Sequence, residues 1–159
     1  NRRAAAFVML AIPMFFLLER CVIGTGRVVD ISMYPTIPHG KYFLINKYAY
    51  RLGLPRRGDI VVFHPTENER WYYVKRVVGL PGETLSISQG RVHVNGQPLE
   101  EPYAHGPTEP EREPAQLKEG TFFVLGDNRS HSEDSRSFGP VRLERIIGKI
   151  RAKGGWPLR

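Results

Sequence analysis

The chain has 159 residues, 41% of them hydrophobic and 25% charged, which suits one compact domain and excludes a chain disordered by composition. A formal net charge of +7 admits an anionic partner, but the basic residues are scattered, so a solvated basic surface is expected and a nucleic-acid partner is not. The one cysteine, Cys21, excludes an internal disulfide and, beside an apolar run, reads as a small hydrophobe.

That run is the first predicted element. Residues 4–18 (AAAFVMLAIPMFFLL) carry no charge and stand between Arg2-Arg3 and Glu19-Arg20. The run falls short of the roughly 20 apolar residues of a full span. Cys21, Val22 and Ile23 extend it if the ends of Glu19 and Arg20 reach the interface. No A-x-A-like cleavage site follows it, which favours an anchor over a cleaved signal; a buried amphipathic helix is the other alternative. Pro13 is better tolerated in a membrane helix than in a soluble one. The arginine pair ahead of the run predicts a cytoplasmic N-terminus and an exported remainder, single-pass in the cell membrane.

Gly24-Thr25-Gly26 reads as a flexible exit from the anchor. Beyond it, short runs rich in aromatic and β-branched residues alternate with glycine and proline. Strands are expected over residues 42–45, 60–63, 71–78, 121–125 and 146–152, with a hairpin over 84–94 turning at Gln89-Gly90. Residues 101–119, with Pro102, Pro107, Pro110 and Pro114 and little apolar periodicity, read as a polar loop. Apart from the anchor, the only helical candidate is a short turn near residues 143–145. The expected fold is therefore mainly β, an antiparallel barrel or sandwich behind an N-terminal apolar helix. The expected divisions are 1–24 (anchor and exit), 25–82 (first part of the β core), 83–120 (hairpin and polar loop excursion) and 121–159 (second part of the core).

Three stretches carry candidate chemistry. In Val28-Val29-Asp30-Ile31-Ser32-Met33-Tyr34-Pro35-Thr36, Pro35 biases Tyr34 away from helix and puts Ser32 on exposed backbone where a strand gives way to a turn. A serine hydroxyl needs a base to act as a nucleophile. The five histidines (His39, His64, His93, His105, His131) are isolated from one another and show no metal-ligand spacing, so no metal or cofactor is expected. Lys75 sits in an aromatic and β-branched strand, where burial would lower its pKa toward a base's useful range. Strand alternation turns Arg76 to the opposite face from Lys75. Taken alone, this strand reads as two solvated edge charges. The third stretch, residues 126–136, packs Asp127, Arg129, Asp134 and Arg136 among small residues, as suits a loop braced by carboxylate–guanidinium pairs. Within it, Ser132 is a candidate to orient a neutral lysine.

Taken in order, Ser32-Met33-x-Pro35-Thr36, Gly58-Asp59-Ile60-Val61, Lys75-Arg76 with Gly79-Leu80-Pro81-Gly82, and Gly126-Asp127-Asn128-Arg129-x-x-Ser132-x-Asp134-Ser135-Arg136 resemble the successive boxes of bacterial type I signal peptidases. The similarity runs over about residues 20–148. It implies a membrane-anchored Ser/Lys endopeptidase, largely β, that removes signal peptides from exported preproteins, with no cofactor. Its partners would be those preproteins, with small residues at the first and third positions before the cut, and the lipid bilayer. The catalytic domain would face the periplasmic or extracellular side. By residue match, Ser32 resembles the nucleophile, Lys75 the general base, Ser132 the hydroxyl that positions the lysine, and Asp134 and Arg136 a supporting ion pair. Asp127 and Arg129 fall in the same structural box. The short span from Gly82 to Gly120 resembles the compact branch of the family, without a larger second β-domain. The lysine separates the chain from the endoplasmic-reticulum branch, which is similar but uses histidine.

Two departures stand out. Gly40-Lys41 replaces the Gly-Asp that often follows the Pro-Thr segment. Asp30 stands two places before the nucleophile, in the oxyanion region with Ser32, where the family usually has serine or glycine. Extended backbone would turn Asp30 to the same face as Ser32, where a carboxylate opposes developing negative charge. The alternative is that Asp30 turns outward to an arginine and leaves backbone N–H groups to form the hole. Rival readings are a specialised processing peptidase of a conjugation system, self-cleavage as in SOS-type repressors, and a degenerate homologue acting in assembly or as a chaperone.

Overall fold

The computed structural model describes residues 9, 11–14, 23–51, 53–66 and 71–151. Of the expected anchor, Met9 and residues 11–14 are helical and exposed; the rest of that run lies outside the described residues. Among the described residues no helix is long and apolar enough to cross a membrane.

In chain order the strands are β1 (Ile23–Arg27), β2 (Tyr42–Asn46), β3 (Ile60–Phe63), β4 (Tyr73–Gly79), β5 (Thr84–Ser88) and β6 (Arg91–Val94). Then follow β7 (Gln97–Pro98), β8 (Arg112–Gln116), β9 (Thr121–Leu125), β10 (Val141–Arg142) and β11 (Ile146–Arg151). A seven-stranded sheet has the order β1-β2-β11-β3-β4-β9-β10, and a four-stranded sheet the order β7-β6-β5-β8. Every strand pairing described is antiparallel, so the mainly β, antiparallel architecture expected from the alternation is present.

β9 is a continuous apolar run, and β4 is buried along most of its length, because both faces of each strand are covered. Val77, Phe122 and Val124 pack with Val61, Phe63, Val141 and Ile146 on one face. Val78, Phe123 and Leu125 pack with Leu85, Ile87 and Val92 of the small sheet, and with Leu117 just after β8, on the other. Each such fully buried side chain contributes roughly 1.5–3 kcal/mol. A third cluster, Val28, Met33, Ile37, Ile45, Val62 and Ile150, lies under the Ser32 segment. Asp59 ties the start of β3 to its surroundings. It accepts hydrogen bonds from Tyr50 Oη at 2.9 Å and the Arg56 N–H at 3.1 Å, and pairs with Lys149.

Three local expectations are corrected. Gly24-Thr25-Gly26 is not a flexible exit but the middle of β1, paired with β2 in the register Gly26↔Phe43. A Cβ on Gly26 would lie 2.5 Å from the Phe43 ring, so the glycine lets that ring cover the strand. The stretch 101–119 is not all loop: β8 pairs with β5, held by its ladder while most of its side chains stay exposed, which is why it shows no apolar pattern. A short helix, α1 (Ser135–Phe138), and a 3-10 turn over Arg129–His131 fold the charged stretch, beyond the turn expected and found at Leu143–Arg145.

Candidate active site

Ser32 stands in a turn a few residues after the end of β1. The Tyr34 N–H donates to the Ile31 carbonyl at 3.0 Å, and the Ile37 N–H to the Met33 carbonyl at 2.7 Å. Met33 and Ile37 are buried in the third apolar cluster and pin the turn to the sheet. The expected exposure of Ser32 is corrected: the residue is 4% exposed, because a lysine and the charged loop close over it.

That lysine is Lys75, at the centre of β4 opposite Val61 of β3. It is 2% exposed, and a 2.7 Å hydrogen bond joins its Nζ to Ser32 Oγ. The ring of Tyr73 lies 5.5 Å from the same nitrogen. Burial holds the Lys75 amine below its ordinary pKa, partly offset by the carboxylates of Asp30, Asp134 and Glu133 and reinforced by the Arg136 guanidinium. Among the described residues Lys75 makes no ion pair. A buried amine without a counter-ion, bonded to a hydroxyl, is an arrangement able to take up a proton.

Arg76 points from the other face of β4, as alternation requires, yet it too is buried. Both charges lie inside because both faces of the strand are covered; neither is a solvated edge charge. Arg76 makes a bidentate pair with Asp127 at 2.8 and 2.6 Å, donates to the Gly58 carbonyl, and stacks over the Tyr103 ring at 4.0 Å.

The acids and bases of the third stretch do not all pair with one another. Asp134 and Arg136 do, in a bidentate contact at 2.8 and 2.9 Å. Asp127 turns instead to Arg76, and Arg129 to Glu101 and Thr108. Glu101 and Thr108 belong to the proline-rich segment and were invisible as partners, since nothing local relates them to Arg129. Asp134 also accepts the Gly126 N–H at 3.0 Å and the Arg136 N–H at the start of α1. Burial alone would raise the Asp134 carboxyl, but the Arg136 guanidinium and the Gly126 N–H bring it below its ordinary value.

Two further residues couple this loop to Ser32. The Asn128 N–H donates to the Ser32 carbonyl at 2.9 Å, and its Nδ2 to the Ile31 carbonyl at 3.2 Å. Gly126 lies so close that an added Cβ would fall 2.1 Å from Ser132 Oγ and 2.6 Å from the Ser32 carbonyl oxygen. Only a glycine permits that approach. A two-donor amide and a glycine in a charged loop were the available sequence signals. Ser132 is brought to this junction but not hydrogen-bonded to Lys75; its buried hydroxyl lies beside the Asp134 carboxylate and favours its ionised form.

Asp30 follows neither sequence expectation. It is exposed and makes no ion pair with an arginine among the described residues. Its Oδ1 accepts the Ser32 N–H at 3.1 Å and also the Ile31 N–H.

The family model described as signal peptidase, peptidase S26, matches residues 1–154. A signal peptidase I of Leptolyngbya laminosa is 43% identical over 80% of this chain, and the chain spans 66% of that relative's length. A signal peptidase I of Bacillus caldolyticus is 35% identical, with 87% of each chain covered. The crystal structure of a signal peptidase I from Enterococcus faecalis superposes with a TM-score of 0.51 at 32% identity, over 62% of this chain and 97% of the other. With a match over nearly its whole length and relatives of this similarity, the chain belongs to the signal peptidase family, peptidase S26.

Proposed function

We propose that this chain is a membrane-anchored serine endopeptidase that removes signal peptides from exported preproteins, with Ser32 as nucleophile and Lys75 as general base. The observation that carries this reading is the 2.7 Å bond between Ser32 Oγ and a buried Lys75 amine that makes no ion pair among the described residues. Neutral Lys75 takes the Ser32 hydroxyl proton as Oγ attacks the scissile carbonyl carbon. The resulting ammonium gives that proton to the leaving amine, and the peptide bond breaks to leave an ester on Ser32. Lys75 then takes a proton from water as it attacks the ester, and returning it to Oγ releases the new carboxylate. The Ser132 hydroxyl, buried at this junction beside Asp134, is available to accept from the ammonium while it carries charge. The pairs of Asp134 with Arg136, Asp127 with Arg76 and Arg129 with Glu101 hold the loop from which Asn128 and Gly126 fix the Ser32 turn. Val29 and Ile31, both exposed, flank the serine with apolar surface suited to an extended substrate.

The apolar run at residues 4–18 is the anchor in this reading, and Arg2-Arg3 keep the N-terminus cytoplasmic. Cleavage of a preprotein in detergent by the wild type, abolished in Ser32→Ala, is the expected result; cleavage that persists in the variant removes Ser32 as nucleophile. Protease added outside spheroplasts should digest the domain after residue 24, and protection of that domain reverses the topology.

A further inference from the structure

We propose that Asp30 is a built-in occupant of the oxyanion donor: its carboxylate holds the Ser32 N–H that a substrate carbonyl oxygen must take, so the resting site is self-occluded until peptide displaces it. The inference rests on the Ser32/Lys75 reading above and deepens it.

When a serine attacks a carbonyl, the nucleophile's own N–H is a natural donor to the oxygen that becomes an oxyanion, because Oγ and N share one Cα. In this structure that donor is in use. Asp30 Oδ1 accepts it at 3.1 Å, together with the neighbouring Ile31 N–H. The occupant has the chemistry of the reaction's own product, a carboxylate.

The carboxylate is also free to leave. Asp30 is exposed and makes no ion pair among the described residues, so the hydrogen bonds lost on turning it into water are these two. The turn itself is held by others: the Tyr34 and Ile37 N–H groups, the buried Met33 and Ile37, and Asn128 on the Ser32 carbonyl. Asp30 acts on the base as well. Of the charges around Lys75, with Asp134, Glu133 and Arg136, it has the largest effect and favours the ammonium. One carboxylate thus withholds the donor and favours the inactive form of the base.

The experiment compares wild type, Asp30→Gly and Asp30→Asn in detergent. Each is assayed on one preprotein and titrated with a substrate-like peptide aldehyde and the matching alcohol. The aldehyde forms a hemiacetal oxyanion on Ser32, whereas the alcohol does not. Glycine adds no donor, so a gain cannot come from a new hydrogen bond; asparagine keeps the acceptor and removes the charge. Losing an oxyanion donor costs about 10²–10³ in kcat in a well-studied protease, so partial occlusion should be worth about tenfold. Asp30→Gly is expected to raise kcat and tighten the aldehyde by about tenfold while KM and the alcohol stay within about threefold, with Asp30→Asn between it and wild type. Aldehyde affinity unchanged or weaker in both variants overturns the occlusion, whatever the turnover. Folded protein that neither cleaves nor binds aldehyde in any of the three forms strikes instead at the Ser32/Lys75 reading itself.

Discussion

Lys75 and Arg76 are neighbours on one strand, both cationic in water and both buried, and the protein treats them in opposite ways. Arg76 meets a bidentate carboxylate, a carbonyl and an aromatic face, so its charge is satisfied and fixed. Lys75 meets one hydroxyl, and burial favours its neutral form. A guanidinium cannot be deprotonated in a protein, so it must be paired to be buried; an ammonium can shed its proton instead. The difference teaches what separates a buried cation held charged from one able to give up its proton. The two are equally buried, and only the chemistry on each face of the strand tells them apart.

The largest effect that tests the contrast is on activity. Ser32→Ala and Lys75→Met should each lower cleavage on the order of 10⁴-fold or more, with circular dichroism and melting showing an intact fold. A Lys75→Met protein that retains substantial turnover would reduce Lys75 to packing.

Next in size is the structural side. Arg76→Met leaves Asp127 buried and unpaired and should cost about 3–5 kcal/mol in denaturant unfolding, most of it regained in Arg76→Met/Asp127→Leu. If Arg76→Met is as stable as wild type, the pair is not the brace described here.

A smaller effect is expected at Gly126. Its added methyl in Gly126→Ala must push Ser132 or the Ser32 carbonyl, and a shift of about 1 Å at a reacting group costs on the order of 10²-fold in rate. The loss should fall on kcat more than on KM. An unchanged kcat would show that the loop does not position Ser32.

The smallest effects are those of pH. Activity should rise about tenfold per unit while pH is below the lowered Lys75 value, and level off above it. Stability should follow the same group. Between the folded value and the ordinary one, near 10.4, the unfolded chain holds a proton that the folded chain lacks. Wild-type stability therefore rises with pH across that window, while Lys75→Met lacks this rise and is the more stable protein at its lower end. Parallel slopes for the two proteins in urea melts would mean that Lys75 is protonated in both states.

The sequence by itself determined the strands and the order of the motifs. β3, β5, β6 and β9 fall where alternation and turn residues put them, because those signals are local: side-chain period, glycine and proline. Ser32, Lys75 and the charged loop were likewise legible as residues with chemistry to offer. Tertiary structure decided who meets whom. Lys75 lies 43 positions from Ser32, and Arg76 lies 51 from Asp127; strand pairing and the fold of the loop set those contacts, and no local period encodes them. β1 and β8 were missed for a related reason. Their strand character comes from hydrogen bonds to a neighbour, through a glycine that makes room for a ring and through a ladder along an exposed edge, and neither leaves an apolar pattern. Asp30 is the clearest case. Spacing could say that it was near Ser32, but only the turn's geometry put its carboxylate on the Ser32 N–H.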